Sequence, residues 1–227
     1  MRSRDVALAS AILAWAPARS LSAEPPPVSI PIEVVVGEER TQTEFFFYAP
    51  VDDRGQASLF SLGRFGTGYR DDADDRVFLS SQAIINANRW LGLTVGGAAD
   101  SSSVRPGVGL SLFFGDESGK NYVNLLPTLF VEPHGEDFSD DAVLEFLIVA
   151  SSTIPVDERW GIFSQLILPV GLSVALDEHR YSAPQLRLGA SLEGIGQFGF
   201  ALDQDYIGSG DDFSYEDNIG LFVRRAL

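Results

Sequence analysis

The sequence predicts an all-β protein, a single antiparallel transmembrane β-barrel of about 12 strands, with 10 strands as the alternative. Alternating apolar and polar residues recur along the chain, and the longer connections tend to fall at one end of the predicted strands. No segment after the N-terminal leader is apolar for 18 residues, so any membrane-spanning form must be made of strands.

The alternation is clearest in "QLILPVGLSVALD", residues 165–177, where Leu166, Leu168 and Val170 share one parity and Ile167 is an exception on the other. This period of two is typical of strands with one apolar face. The predicted strands are 28–36, 41–49, 56–66, 77–86, 89–98, 107–115, 121–132, 142–153, 160–176, 183–193, 197–204 and 217–227. The first three alternate least regularly.

The residues between the large apolar ones indicate which face meets lipid. In "GQFGFALDQDYIG", Phe198, Phe200 and Leu202 alternate with Gly199 and Ala201. The polar parity of the strands holds many Gly, Ala and Ser residues, whereas a solvated outer face normally carries Lys and Glu. We therefore expect the apolar face to point outward to lipid. A soluble lipocalin-like barrel or sandwich, with the leucines inward, is the alternative.

Residues 1–23 are predicted to be a cleaved signal peptide. Arg2 and Arg4 precede an apolar run from Val6 to Ala16, and small residues offer cleavage after Ala18 or Ala23. Residues 24–227 then form one barrel domain, and the predicted location is the bacterial outer membrane. The absence of cysteine excludes disulfides and thiolate metal sites.

The net charge of −16, from 32 acidic and 16 basic residues, argues against nucleic acid as a partner. Acidic residues cluster in predicted connections at 71–75, 136–141 and 211–217, where divalent cations could bridge them to the phosphates of outer-membrane lipids. No spacing matches a 12-residue calcium loop, so neither a specific metal site nor a cofactor is predicted.

The connections give a predicted orientation. Counted back from the C-terminus, longer acidic loops alternate with short turns, although the connection at "VGEER" is short where a long loop is expected. Outer-membrane barrels place long loops outside and short turns in the periplasm, and an even number of strands returns both termini to the periplasm. The acidic loops are therefore expected to face outward.

The C-terminal segment "NIGLFVRRAL" places Ile219, Leu221, Val223, Arg225 and Leu227 on one parity. Together with "APQLRLGASLEGIGQFGFALDQDYIG", it resembles the last strands of porin-like bacterial outer-membrane β-barrel proteins. The resemblance covers the leader and roughly residues 77–227. It implies the barrel-assembly machinery as a partner. It also implies a non-catalytic role, as a passive channel for small solutes or as a structural envelope protein.

Charged residues on the predicted inner face are the candidate lumen-facing residues: Glu132, Glu145, Arg187, Glu193, Asp203 and Arg224. A ring of such charges could select solutes in a channel. The same residues could instead form interior salt bridges that fill a narrow barrel. No catalytic residue is predicted.

An outer-membrane lipid-modifying hydrolase is the alternative function. The two histidines, His134 and His179, are predicted in outer loops, where Ser139 or Ser182 could serve as a nucleophile.

Overall fold

The computed structural model describes residues 30–52, 55–69, 76–101, 103–116, 120–131, 142–174, 178–208 and 214–226. Among these residues, no helix is long and apolar enough to cross a membrane. The strands are β1 Pro31–Gly37, β2 Arg40–Pro50, β3 Ala57–Gly68, β4 Arg76–Asn86, β5 Leu91–Asp100, β6 Val104–Gly115, β7 Tyr122–Val131, β8 Ala142–Pro155, β9 Trp160–Ser173, β10 His179–Ser182, β11 Gln185–Leu192, β12 Gly196–Ile207 and β13 Ser214–Ala226.

The strands form one closed antiparallel sheet. Successive strands pair along the chain, and β1 pairs with β13 from Pro31↔Ala226 to Gly37↔Gly220, which closes the barrel. The short β10 and β11 both pair with β9 and β12, so they share one position and the described wall has twelve positions. Pro184 lies between them and has no N–H to donate to the ladder, which explains the break.

The strands are long enough to cross a bilayer. Strands β2 to β9, β12 and β13 have 10 to 14 residues. A membrane-spanning strand needs about 9–11 residues at a tilt of about 45°. If cross-strand partners are followed once around the wall, the path returns to β1 about 16 residues away from its starting residue. A stagger of this size in a twelve-position barrel implies strands that are tilted to a similar degree, about 45°.

The two faces of the wall have opposite chemistry. Large apolar side chains are exposed on the outside, including Phe200 at 71%, Leu221 and Val223. Charged side chains such as Glu33 and Arg187 are buried inside. This is the reverse of a soluble barrel and the arrangement that a lipid environment stabilises. The predicted fold, a single antiparallel transmembrane β-barrel of twelve strands, is confirmed.

Each predicted strand corresponds to an observed strand, and β10 is an addition. The irregular alternation of "EFFFYA" arises because Phe46 faces inward and packs against the interior cluster, while the rings of Phe45 and Phe47 stack. One predicted long loop is wrong, because only residues 101–103 separate β5 from β6. The predicted signal peptide and most of the acidic clusters lie outside the described residues.

Candidate functional site

The interior of the barrel has a charged half and a half that we call apolar, although neutral polar residues such as Gln82, Thr94 and Thr128 are also buried there. The apolar half is a cluster that crosses from β3 and β4 to β7, β8 and β9, formed by Phe60, Leu62, Ile84, Leu126, Leu147, Val149 and Ile167. A smaller cluster is formed by Val35 on β1, Phe163 on β9, Ala201 on β12 and Phe222 on β13. Both exclude water, so they stabilise the barrel from within as a protein core does.

The charged half is organised around Arg187 on β11. Its Nε donates to Glu33 Oε1 at 2.6 Å, and its Nη1 donates to Asp203 Oδ1 at 2.5 Å. The second oxygen of Glu33 accepts from Arg224 Nη2 at 2.6 Å, and the same Arg224 nitrogen reaches Gln165 Oε1 at 2.5 Å. Glu33 is thus shared by two arginines in a region with little access to water.

A second group of ion pairs lies nearer the end of the barrel that carries the β1–β2 connection. Arg40 donates to Asp205 at 2.7 Å, and Arg64 donates to Glu44 at 3.4 Å. Glu44 also accepts from Gln185 Nε2 at 2.9 Å.

The two groups meet because Gln185 and Asp203 are cross-strand neighbours. We call the combined set the polar column: Glu33, Arg40, Glu44, Arg64, Gln165, Gln185, Arg187, Asp203, Asp205 and Arg224.

The polar column reaches both ends of the barrel. At one end, Arg40 Nη1 contacts Glu216 at 3.4 Å, and the side chain of Glu216 is 58% exposed. At the other end, Arg224 and Gln165 line a cavity of about 780 Å³ together with the turn residues Arg159 and Glu193. Polar side chains therefore run from one mouth of the barrel to the other along one side of its interior.

Small residues make room for the central bridge. Arg187 must reach from β11 to Glu33 on β1 across the inner surfaces of β12 and β13. Its cross-strand neighbour on β12 is Ala201, whose own neighbour on β13 is Gly220. A Cβ on Gly220 would lie 2.3 Å from the Val36 carbonyl oxygen, so the strands also approach closely here. The small inward residues thus accommodate the arginine side chain.

The interior is sealed at the level of the bridge. Each of the twelve described wall positions contributes an inward side chain that is at most 4% exposed: Glu33, Glu44, Leu62, Gln82, Thr94, Ser111, Leu126, Leu147, Ile167, Arg187, Ala201 and Phe222. A water-sized sphere therefore finds no continuous path through the part of the barrel that the structure describes. Any passage needs side chains to move.

Several buried polar atoms of the charged half have no hydrogen-bond partner among the described residues: Arg40 Nε, Gln42 Nε2, Gln185 Oε1, Arg187 Nη2, Asp203 Oδ2 and Asn218 Nδ2. Gln185, Asp203 and Asn218 are consecutive cross-strand neighbours on β11, β12 and β13. A buried polar atom without a partner is costly, and donors and acceptors placed together suit bound water or an ion.

The predicted lumen-facing residues divide as follows. Arg187, Asp203 and Arg224 lie in the polar column. Glu145 lies inside the barrel but apart from the column, where its carboxylate accepts a hydrogen bond from the Tyr181 hydroxyl. Glu132 lies outside the described residues.

Glu193 lies just beyond β11, at the mouth of the barrel, where it lines the same cavity as Arg224. Residues 193–195 form the exposed turn after β11, with Gly194 at a φ of 75°.

Seven of the ten column residues were not among the predicted lumen-facing residues: the charged Glu33, Arg40, Glu44, Arg64 and Asp205, and the neutral Gln165 and Gln185. The sequence of β1 did indicate an inward charge, because Glu33 in "IEV" lies between two outward apolar residues. The irregular first strands concealed it.

His179 is not a loop residue but the first residue of β10. Its Nε2 lies 3.2 Å from Ser182 Oγ, and its Nδ1 lies 3.0 Å from the Gly208 carbonyl oxygen. His179 and Ser182 are cross-strand neighbours of Leu172 and Val170, which belong to the outward apolar set. The pair is therefore on the outer surface. His134 and Ser139 lie outside the described residues.

No protein-family model matches the sequence, and no curated protein matches it. Among solved structures, the KdgM porin in complex with disordered oligogalacturonate has a TM-score of 0.44 at 7% identity, covering 88% of this chain and 99% of that chain. The NanC porin in its rhombohedral crystal form has a TM-score of 0.46 at 11% identity, covering 87% and 97%. A chain from a study of in-meso crystallization of membrane proteins has a TM-score of 0.43 at 16% identity, covering 88% and 83%.

The fold assignment rests on this protein's own strand register and burial. The fold that the C-terminal strands led us to expect, a closed antiparallel β-barrel, is confirmed by the closed twelve-position wall.

Proposed function

We propose that this protein is a non-catalytic barrel of the bacterial outer membrane that acts as a porin-like passive channel, with its passage along the polar column. The observation that carries the proposal is the continuity of the column, from the exposed Glu216 to the cavity beside Arg224. The apolar half shows no comparable chain of ion pairs among the described residues, and its apolar cluster has no polar atoms to replace the hydration shell of a solute.

The energetics of the column favour a functional role. Burying a charged pair costs several kcal/mol per ion in lost hydration, and the Coulombic gain often does no more than offset that cost. Apolar and neutral polar residues occupy most of the other half of this barrel, so a purely structural interior does not require a chain of ionisable residues. Ionisable residues within the membrane-spanning part of a protein are a default sign of a solute or ion pathway.

Planar lipid bilayers provide the test. Protein that shows the heat-dependent gel mobility of a folded barrel is added to the bilayer in KCl, with heat-unfolded protein as the control. We expect discrete current steps from the folded protein only. Because the interior is sealed in this conformation, the steps should be small and intermittent. If the folded barrel is shown to insert into proteoliposomes but planar bilayers show no current, the structural envelope role replaces the channel.

A second candidate, a lipid hydrolase, is favoured by the contact between His179 and Ser182. A histidine nitrogen within hydrogen-bond reach of a serine hydroxyl, with its other nitrogen held by an acceptor, is the arrangement of a base and a nucleophile. Release of fatty acid from phospholipid vesicles, lost in Ser182→Ala, would support it. Equal rates for Ser182→Ala and the wild type would exclude a hydrolase that uses this pair.

Two partners are part of the proposal. Divalent cations would bridge the acidic connections to lipid phosphates, and the barrel-assembly machinery would receive the C-terminal strand. Release of the folded protein's bound Mg²⁺ by a chelator, with a fall in unfolding temperature in anionic vesicles only, would support the first. Unimpaired barrel assembly after β13 is scrambled would contradict the second.

A further inference from the structure

We propose that the passage admits small inorganic ions rather than sugars, and that the bridge Glu33–Arg187–Asp203 is the constriction that closes it and sets its charge preference. This inference rests on the proposed channel function. It adds the class of solute and the residues that control it.

The position of the bridge makes it the constriction. The Arg187 guanidinium binds Glu33 on β1 and Asp203 on β12, so its side chain lies across the charged half of the interior. The side chains of all three residues are at most 2% exposed. Above the bridge, the column leads to Glu216. Below it, Arg224 leads to the cavity at the other mouth.

The size of the opening follows from what can move. The apolar clusters are held by many contacts, and opening them would expose apolar surface to water at an unfavourable free energy. Arg187 can swing away if its two ion pairs break, and Ala201 and Gly220 beneath it leave the vacated volume empty. That volume is one arginine side chain. We therefore expect a partly dehydrated ion to pass an opening of this size and a sugar ring to be excluded.

Polar atoms at the bridge can replace part of an ion's hydration shell. Asp203 Oδ2 and Gln185 Oε1 are acceptors without a described partner, and Arg187 Nη2 is a donor without one. Oxygen ligands suit a cation, and the arginine donor suits an anion. The balance of charge at the bridge should therefore decide which ion crosses more readily.

Two variants should shift the ion preference of the channel in opposite directions. Arg187→Ala removes the blocking side chain and leaves Glu33 and Asp203 without their shared cation, so conductance should rise several-fold and cations should be preferred. Glu33→Gln keeps the volume but removes the carboxylate that holds Arg187 and Arg224. Openings should then be several-fold more frequent, and the permeability ratio should shift toward anions.

Gln82→Ala is the matched control. It truncates a buried side chain at the sealed level, but Gln82 projects from β4 and contacts Thr128 at 3.4 Å, away from the bridge. Its conductance and ion preference should equal those of the wild type. A change as large as that of Arg187→Ala would mean that any loss of interior volume opens the barrel, which would overturn the inference.

The experiment measures reversal potentials across bilayers in a KCl gradient, for proteins with the heat-dependent mobility of a folded barrel. Opposite shifts for Arg187→Ala and Glu33→Gln support the proposal. If only one of the two variants folds, the presence or absence of its own predicted shift supports or overturns the proposal. A conducting wild type with unshifted variants overturns the inference and leaves the channel standing.

Folded protein that is silent in the wild type and in every variant overturns the channel function itself. The solute class is tested separately, in proteoliposomes. Swelling of wild-type proteoliposomes in arabinose would show that sugars pass, and would overturn the restriction to inorganic ions.

Discussion

Phe200 offers a direct test of which face of the wall meets lipid. Its side chain is 71% exposed, and its cross-strand neighbours Leu188 and Leu221 are exposed as well, so it lies in the middle of an apolar surface. In water, Phe200→Arg at such a position would be harmless, because the arginine would be solvated. In a bilayer, an arginine near the midplane of a barrel costs about 2–4 kcal/mol, roughly a 30- to 1000-fold change in the unfolding equilibrium.

Tyr215 supplies a matched position. It is also exposed, but it is the second residue of β13, and its hydroxyl donates to Asp217 and accepts from Gln204. This polar surrounding indicates the membrane interface, where the cost of an arginine falls to about 0–1 kcal/mol. The assay is urea unfolding of the wild type, Phe200→Arg and Tyr215→Arg in lipid vesicles, followed by tryptophan fluorescence. Equal costs at the two positions, or no cost at Phe200, would refute the lipid-facing assignment.

Three further predictions use the same unfolding assay or a related one. Leu126→Ala, in the interior cluster, should cost about 2–5 kcal/mol, whereas Val95→Ala on the exposed face should cost less than about 1 kcal/mol; similar costs would contradict the assigned faces. Gly96→Ala should cost about 1–3 kcal/mol or more, because its Cβ would lie 2.0 Å from the Ser81 carbonyl oxygen, and an unchanged stability would disprove that close approach. Brominated lipids should quench the fluorescence of the exposed Trp90 and Trp160 in the folded protein, and an unquenched signal would place both away from lipid.

The sequence was sufficient for the wall of the barrel because strand alternation is a local property. Large outward residues such as Phe198 and Phe200 must alternate with inward ones wherever lipid covers one face. The break between β10 and β11 was not predicted, although Pro184 marks it. An irregular stretch such as β2 was harder, because Phe46 packs inside while its neighbours pack outside.

The polar column was predictable only in part, because it depends on which strands meet. Arg187, Asp203 and Arg224 could be placed on the inner face from parity alone. Their pairing with Glu33 requires closure of the barrel between β1 and β13, a contact between residues 191 positions apart in the case of Arg224. Parity also gave no information about packing. Parity places Ala201 on the inner face, but it does not show that the interior around this residue is sealed.

Aromatic residues near strand ends also cannot be assigned to a face of the wall from their position along the chain alone. Trp90 and Trp160 are exposed on the outer surface, where they pack against Phe114 and Phe198. Phe163, the fourth residue of the strand that Trp160 begins, is buried in the interior against Phe222. Proximity to a strand end does not determine the face, and parity within the strand does.

Chemical accessibility along β13 tests the central claim most directly, namely that the barrel faces lipid outside and is sealed inside. The chain has no cysteine, so Leu221→Cys and Phe222→Cys each introduce a single thiol. With a nitroxide attached, Leu221→Cys should be relaxed by oxygen dissolved in the bilayer and not by an aqueous nickel complex. In the folded barrel, Phe222→Cys should resist a water-soluble thiol reagent and react only after unfolding. Rapid aqueous labelling of Phe222→Cys in the folded protein, or relaxation of the Leu221→Cys nitroxide by nickel, would contradict the account.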